Sequence, residues 1–249
     1  RIDPVADAET VETELMLSDL ESLERRIVQF RKRASVKDKE ALTVLPVMEQ
    51  ALALLNDGKP VRLLLGKLAA DEMPILLGLN LLTSHPVLYV CNVSEEEAAT
   101  GNEHTKAVEK MAAAQGARVV VISAAIEAEV AQLPDEEAKE FLADLGLEEP
   151  GLDKLIRAGY DLLHLITYFT VGPKETRAWT IVKGTKAPQA AGVIHTDFER
   201  GFIRAQTIAY EDFIALGGEV AAKEAGKARD EGKDYVVQDG DVLLFRFNT

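Results

Sequence analysis

Two apolar stripes near the start of the chain leave little freedom in how this part can fold. Met16, Leu20, Leu23, Ile27 and Phe30 recur in alternating steps of four and three residues, and Ala41, Leu45, Met48, Leu52 and Leu55 repeat the same steps. That spacing keeps each set on one side of an α-helix, facing a partner helix rather than water. Two antiparallel helices joined near Ser35 bury both stripes, so residues 10–60 are predicted to form a helical hairpin. Asn56, Asp57, Gly58 and Pro60 end its second helix. Pro46 is expected to kink that helix or delay its start, because proline lacks a donor and crowds the preceding turn. The stripes also suit the core of a compact helical domain, and periodicity leaves that alternative open.

The joint of this hairpin is rich in cations: Arg25, Arg26, Arg31, Lys32, Arg33, Lys37 and Lys39 crowd together in a chain whose formal net charge is −14. Such an acidic balance excludes polyanion binding by the whole surface, since nucleic-acid affinity rests on lysine and arginine neutralising phosphates. Contact with RNA therefore falls to the local tip, the plain alternative being a solvated helix end. With 47% hydrophobic residues in 249, the chain can bury one large core or two modest ones. No continuous apolar run is long enough to span a bilayer, so a soluble protein is expected. Cys91 is the single cysteine, which rules out an internal disulfide, and no Cys/His cluster has metal-ligand spacing. That pattern suits the reducing cytosol. Residues 1–7 lack a secretory signal and the first residue is Arg1, so the chain is expected to begin inside a longer, cytoplasmic protein.

Residues 86–92 and 117–123 are short, largely apolar runs that read as buried strands, and a helix is predicted over about 102–115, stopped by Gly116. Strand, helix, strand at this spacing forms a parallel βαβ unit, and such folds place ligands at the strand carboxyl ends. Asn92 and Ser123 occupy those ends. Residues 127–145 and 151–165 are predicted helices separated by Glu148, Glu149 and Pro150. Beyond Ile166 the pattern changes. Strands are expected over 167–171, 176–182, 202–208 and 242–247, with helices over about 187–194 and 219–231, which together make a small α+β domain.

Asn92, Val93, Ser94 and Glu95 stand where a P-loop NTPase of the GTPase class carries Asn-Lys-x-Asp for reading guanine. In that motif the aspartate accepts hydrogen bonds from the guanine edge while the lysine stem packs on the base. Glu95 is one methylene longer and Val93 has no ammonium, so guanine selectivity is weakened and adenine is admitted. On their own such residues also serve as ordinary turn and capping groups. Ser123, Ala124 and Ala125 end the next strand, where the same class sets a Ser-Ala loop against the base.

With these two loops in order, the chain resembles the YchF, or Obg-like ATPase, family. The matching segments are residues 1–7, 13–21, 92–95, 123–127, 152–160, 172–180, 195–203 and 234–241, so the resemblance runs over essentially the whole chain. It implies an α/β G-domain remnant, a parallel sheet with helices, carrying an inserted α-helical coiled-coil hairpin and followed by an α+β β-grasp TGS domain. On this basis residues 1–9 are a G-domain segment, 10–60 the hairpin, 61–165 the rest of the G domain and 166–249 the TGS domain. The resemblance further implies hydrolysis of ATP, and often GTP, with Mg2+, together with association with the ribosome and ribosomal RNA in a translation- or stress-linked switch. It implies no DNA specificity and no membrane partner. Asn92 and Glu95 would face the base edge, the Val93 backbone would contact adenine, and Ser123 with Ala124 would close the other side.

One departure is large. The Gly-Lys pairs at Gly58, Gly66, Gly226 and Gly232 are followed by Pro, Leu, Ala and Asp, so none forms the Gly-x-x-x-x-Gly-Lys-Ser/Thr loop that cradles phosphate. The phosphate cradle and Mg2+ ligands are expected upstream of Arg1, no catalytic or metal residue is assigned here, and these 249 residues alone are expected to be inactive with nothing bound. A non-enzymatic RNA- or ribosome-binding module is the alternative. His195 and Asp197 suggest a base and its orienting partner, but no nucleophile accompanies them and turn hydrogen bonding is the plainer role. Cys91 is read as a buried strand thiol, and Trp179 and Phe202 as core aromatics rather than stacking platforms.

Overall fold

The structure, a computed structural model, describes residues 2–248. Arg1 and Thr249, the outer limits of the predicted 1–9 and 166–249 segments, lie outside the described residues. The chain packs as two compact units, Arg1–Ala158 and Gly159–Thr249.

The first unit opens with helix α1, Pro4–Ser35, whose amino end is capped by Asp3 accepting from the Ala6 N–H at 3.2 Å, with proline in the first turn. Helix α2, Lys39–Asn56, is capped in the same way by Asp38, whose Oδ1 accepts from the Ala41 N–H at 2.9 Å. The two stripes meet as predicted: Leu23, Ile27, Ala41, Met48 and Leu55 are buried, and Met16, Leu20, Phe30, Leu45 and Leu52 pack around them. α1 begins six residues before the expected Thr10, because Asp3 and Pro4 start it. Pro46 lies inside an unbroken α2. Only one helical hydrogen bond is forfeited there, from the carbonyl of the exposed Leu42, which water can reach. Below the helices, a 3-10 turn at Val61–Leu64, helix α3 at Met73–Gly78 and a 3-10 turn at Leu82–Ser84 close the core through Val61, Leu64, Leu76, Leu79 and Leu81.

Strands β1, Leu88–Asn92, and β2, Arg118–Ile122, form a parallel pair with Asn92 opposite Ile122. Helix α4, Glu103–Gln115, connects them. Its start is fixed by a reciprocal capping box between Asn102 and Thr105, and its end by Gly116 at φ +68°, a left-handed conformation that glycine takes without penalty. The predicted helix over 127–145 is two helices, α5 at Ala124–Val130 and α6 at Asp135–Asp144, since Pro134 cannot continue the first. Helix α7, Gly151–Leu162, ends three residues earlier than expected, where His164 turns left-handed at φ +52°.

The second unit holds a mixed five-stranded sheet. Its strands are β3 at Leu165–Val171, β4 at Thr176–Val182, β5 at Phe202–Ala209, β6 at Arg229–Glu231 and β7 at Asp241–Phe247, in the order β4-β3-β7-β5-β6. Only β3 and β7 are parallel neighbours. Helices α8, Ala187–Ile194, and α9, Thr196–Arg200, precede β5; α10, Tyr210–Leu216, and α11, Glu219–Glu224, follow it. One sheet face packs Ile166, Tyr168, Ile181, Phe202, Leu243 and Phe245 against Ala187, Ala190 and Ala191 of α8, with the Tyr168 hydroxyl donating to the Ala190 carbonyl at 2.8 Å. The other joins Phe169, Val171, Ile208 and Val242 to Phe213 and Ala222. The predicted helix over 219–231 is corrected here: Gly226 at φ +71° ends it, and Arg229–Glu231 pairs with β5 as a short charged edge strand.

Candidate functional site

The carboxyl ends of β1 and β2 are joined by two hydrogen bonds. Val93 N–H donates to the Ile122 carbonyl, and Ala124 N–H donates to Asn92 Oδ1, each at 2.9 Å. The two predicted base loops are thus tied to each other, with Asn92, Ala124 and Ala125 exposed. The Asn92 side chain spends its acceptor on this bridge and keeps its amide N–H groups uncommitted among the described residues. Ser123 behaves differently. It is 2% exposed, and its Oγ has no hydrogen-bond partner; it faces a narrow crevice with Ile126, Glu127 and Leu147.

Beside this bridge runs a cleft of about 620 Å³, lined by Tyr89 to Ser94, by Glu97, and by Asn102, His104, Thr105 and Val108 of the α4 side, with Ile2, Pro4 and Ala8. Asn92 and Val93 line it; Glu95, Ser123 and Ala124 do not. Glu95 begins an exposed 3-10 turn, Glu95–Glu97, and the carboxylate that reaches the cleft is Glu97. Hydrogen bonding from Asn102, and then from Ser94 at 3.0 Å, holds the Glu97 carboxyl below its ordinary range. Ser94 and Glu97 have the Ser-x-x-Glu spacing of a helix-start motif, which is the signal that would have singled Glu97 out. Burial, with Glu109 adding to it, pushes the Cys91 thiol up and keeps it protonated.

A buried polar network went unread in the sequence. Arg62, with a side chain 6% exposed, binds Glu12 at 3.0 Å and Gln115 at 2.8 Å, while Tyr89 donates to the same Glu12 carboxylate at 3.2 Å. Burial first, and Glu12 second, raise the Tyr89 phenol. Glu127 accepts from the backbone N–H groups of Gly151 and Leu152 at 2.6 and 3.0 Å, fixing the start of α7.

The structure divides the cationic cluster of α1 and α2. Arg26 donates to the Leu79 carbonyl at 2.7 Å and is part of the packing beneath the helices. Arg25 faces Glu21 at 3.8 Å, Arg31 faces Glu49 at 3.3 Å, and Arg33 bridges Asp38 and Glu40 at 2.9 and 2.5 Å, which raises its pKa. Lys32, Lys37 and Lys39 surround the turn and make no ion pair among the described residues. In the second unit His195 Nδ1 accepts from the Asp197 N–H at 3.2 Å, capping α9. Phe202 is core at 5% exposure, and the half-buried Trp179 donates to Thr170 while the Arg177 guanidinium lies 4.2 Å over its ring. No group of three or more His, Cys, Asp or Glu among the described residues is arranged to hold a metal ion. No helix among them is long and apolar enough to cross a membrane.

A helical pair with a parallel βαβ unit whose polar loops are bridged at the strand ends, followed by a mixed-sheet domain, defines a two-unit protein of mixed α and β structure. The family model YchF-GTPase_C, described as a protein of unknown function (DUF933), matches residues 165–248. The Ribosome-binding ATPase YchF of Bacillus subtilis (strain 168) is 50% identical over 250 residues, and that of Haemophilus influenzae 54% over 248; each alignment covers 100% of this chain and 68% of the relative. The solved YchF GTPase of Schizosaccharomyces pombe has a TM-score of 0.84 at 34% identity, covering 98% of this chain and 66% of that one. The chain belongs to the YchF, or Obg-like ATPase, family. It spans about two thirds of the length of these relatives.

Proposed function

We propose that this chain is the base-reading and ribosome-contacting part of a cytoplasmic ATPase that binds ATP, and also GTP, and couples its hydrolysis to the ribosome. Its main support is the 2.9 Å hydrogen bond from Ala124 N–H to Asn92 Oδ1, which brings the two base loops together at the carboxyl ends of parallel strands. A purine seated there meets Asn92 as an amide donor, Val93 through its backbone, and the Ser123 and Ala124 loop from the other side. Glu95, exposed at the rim, replaces the shorter guanine-reading aspartate, and Val93 replaces the lysine, so adenine is accepted. The unpartnered Ser123 Oγ supports a polar loop that adjusts when a nucleotide binds.

In this reading residues 1–9 and 61–165 belong to a G domain, 10–60 form an inserted coiled-coil hairpin, and 166–249 form a β-grasp TGS domain; the strand order β4-β3-β7-β5-β6 supports the last assignment. The sequence offers no Gly-x-x-x-x-Gly-Lys-Ser/Thr loop, and the described residues hold no carboxylate cluster for Mg2+. No hydrolytic step is therefore derived from them, and the 249 residues alone are expected to bind ATP weakly and not to turn it over. A second reading, an RNA- or ribosome-binding module with no chemistry of its own, is supported by Lys32, Lys37 and Lys39, which make no ion pair among the described residues.

The decisive variant is Asn92→Ala in a longer chain that also carries a phosphate-binding loop. Calorimetry is expected to give at least about tenfold weaker ATP binding, about 1.4 kcal/mol. Unchanged affinity would remove Asn92 from the base site. For ribosome contact, Lys32, Lys37 and Lys39 are the available cations. Their joint replacement by Glu should reduce co-sedimentation with ribosomes, and indifference to both charge and salt would rule the tip out.

A further inference from the structure

The mixed sheet of the second unit has two outer strands, and they are finished differently. At one edge β6 is three residues long and every one is charged, Arg229, Asp230 and Glu231, which discourages another chain from pairing there. At the other edge β4 runs for seven residues, Thr176–Val182, with no proline, glycine or bulge and a single charge, Arg177. None of the devices that usually blunt an edge strand is present on it.

The register shows which main-chain groups of β4 face outward. In an antiparallel pair, residues that exchange hydrogen bonds alternate with residues whose N–H and C=O turn away. Lys183 N–H donates to the His164 carbonyl at 2.7 Å. The same parity runs through Ile181 opposite Ile166, Trp179 opposite Tyr168 and Arg177 opposite Thr170, so these residues spend their main-chain groups on β3. Ala178 and Thr180 turn theirs outward, and both residues are exposed. No hydrogen bond reaches those N–H and C=O groups among the described residues.

The faces on either side of this edge differ. Trp179 and Ile181 turn to the core under α8; the Trp179 ring is half-buried, with the Arg177 guanidinium 4.2 Å from its centre. Ala178, Thr180 and Val182 turn to the opposite face, where Val182 is 55% exposed. The surroundings are cationic. Residues 174–186 hold Lys174, Arg177, Lys183 and Lys186 against Glu175 alone, in a chain of net charge −14. Of these only Lys186 has an ion pair among the described residues, with Asp234.

We propose that β4 is a docking edge for an extended segment of a partner protein, which adds a strand to the sheet. The segment runs antiparallel, the more stable pairing, and its main chain bonds the N–H and C=O groups of Ala178 and Thr180. In that direction it sets apolar, β-branched side chains opposite Ile181 and Trp179, and then an aspartate or glutamate opposite Arg177. The flanking lysines favour the same acidic end. A polyanion without a peptide main chain leaves the outward groups of Ala178 and Thr180 unpaired, so the cations by themselves do not account for the open edge. Neither a nucleotide nor the ribosome is required.

The test is fluorescence anisotropy of the 249-residue chain with a labelled peptide of sequence Val-Thr-Val-Thr-Val-Thr-Asp. N-methylation of its last two threonines, whose N–H groups face Thr180 and Ala178, should weaken binding at least about tenfold. N-methylation of its last two valines, whose N–H groups turn away, should leave binding unchanged. Thr180→Pro, at an edge position that tolerates proline, removes one outward donor and should weaken binding as well. Arg177→Glu should weaken binding of this peptide and strengthen binding of the same peptide ending in lysine, a reversal that a folding defect does not produce. Binding that survives methylation of the threonines would overturn the proposal by showing a cationic surface rather than a strand edge. Absence of binding by the unmodified peptide at millimolar concentration would overturn it as well.

Discussion

Asp19 shows what one residue can do for this fold. It is 3% exposed on α1, and its two carboxylate oxygens accept from Leu82 N–H, Thr83 N–H and Thr83 Oγ at 2.7, 2.8 and 2.7 Å. The Thr83 hydroxyl oxygen in turn accepts from Val61 N–H at 3.2 Å, so the carboxylate organises two 3-10 turns at once. Asp19→Ala would leave three donors without partners in a dry site. At about 1 to 3 kcal/mol for each buried unpaired group, partly relaxed, a loss of about 3 kcal/mol is expected in urea unfolding. A loss below about 1 kcal/mol would mean that water replaces the carboxylate. Nothing local marks this residue, because an aspartate beside an apolar stripe reads as surface while its partners stand 63 and 64 positions away. The position of Asn92 was legible for the opposite reason: strand and loop order alone put it at the carboxyl end of β1. That Asn92 would bind Ala124, and that Glu97 rather than Glu95 would reach the cleft, depended on side-chain directions that spacing does not encode.

At the scale of elements, α2 depends on its first turn. The Ala41 N–H, and then Arg33, hold the Asp38 carboxyl below its ordinary pKa. A folded pKa depressed below the unfolded one gives stability that is fully present above the unfolded value, about 3.9, and disappears as pH falls through the folded value. The thermal stability of the native chain should therefore exceed that of Asp38→Asn at pH 6, with the gap closing between about pH 4 and pH 2. A gap that persists at pH 2 would assign the effect to shape rather than charge, since asparagine also caps helices. The paired helices were readable because a four-three repeat keeps one face of each helix apolar and in need of cover. The edge strand Arg229–Glu231 was not, since three charged residues carry no strand pattern and are held by the main-chain bonds of β5.

Across the whole molecule, the second unit draws its two core clusters from residues 166–245 alone. Residues 151–249, starting at the first residue of α7, should consequently unfold cooperatively when produced alone, with a sigmoidal denaturant curve seen by circular dichroism. A broad, non-cooperative curve would mean that this core needs the remainder of the chain. The relatives and the solved fungal structure match both units, so the two travel together within the family. The amino-acid order by itself determined the helical pair, the parallel βαβ unit, most of the sheet strands and the two loops at the strand ends. Each of these follows from a short-range repeat or from turn residues at fixed offsets. Only the tertiary structure decided that Arg26 serves packing while Lys32, Lys37 and Lys39 remain available, that Arg62 and Asp19 are buried, and that Arg204 faces Arg246. Those outcomes turn on which distant backbone or carboxylate a charged side chain meets, and sequence spacing carries no record of such encounters.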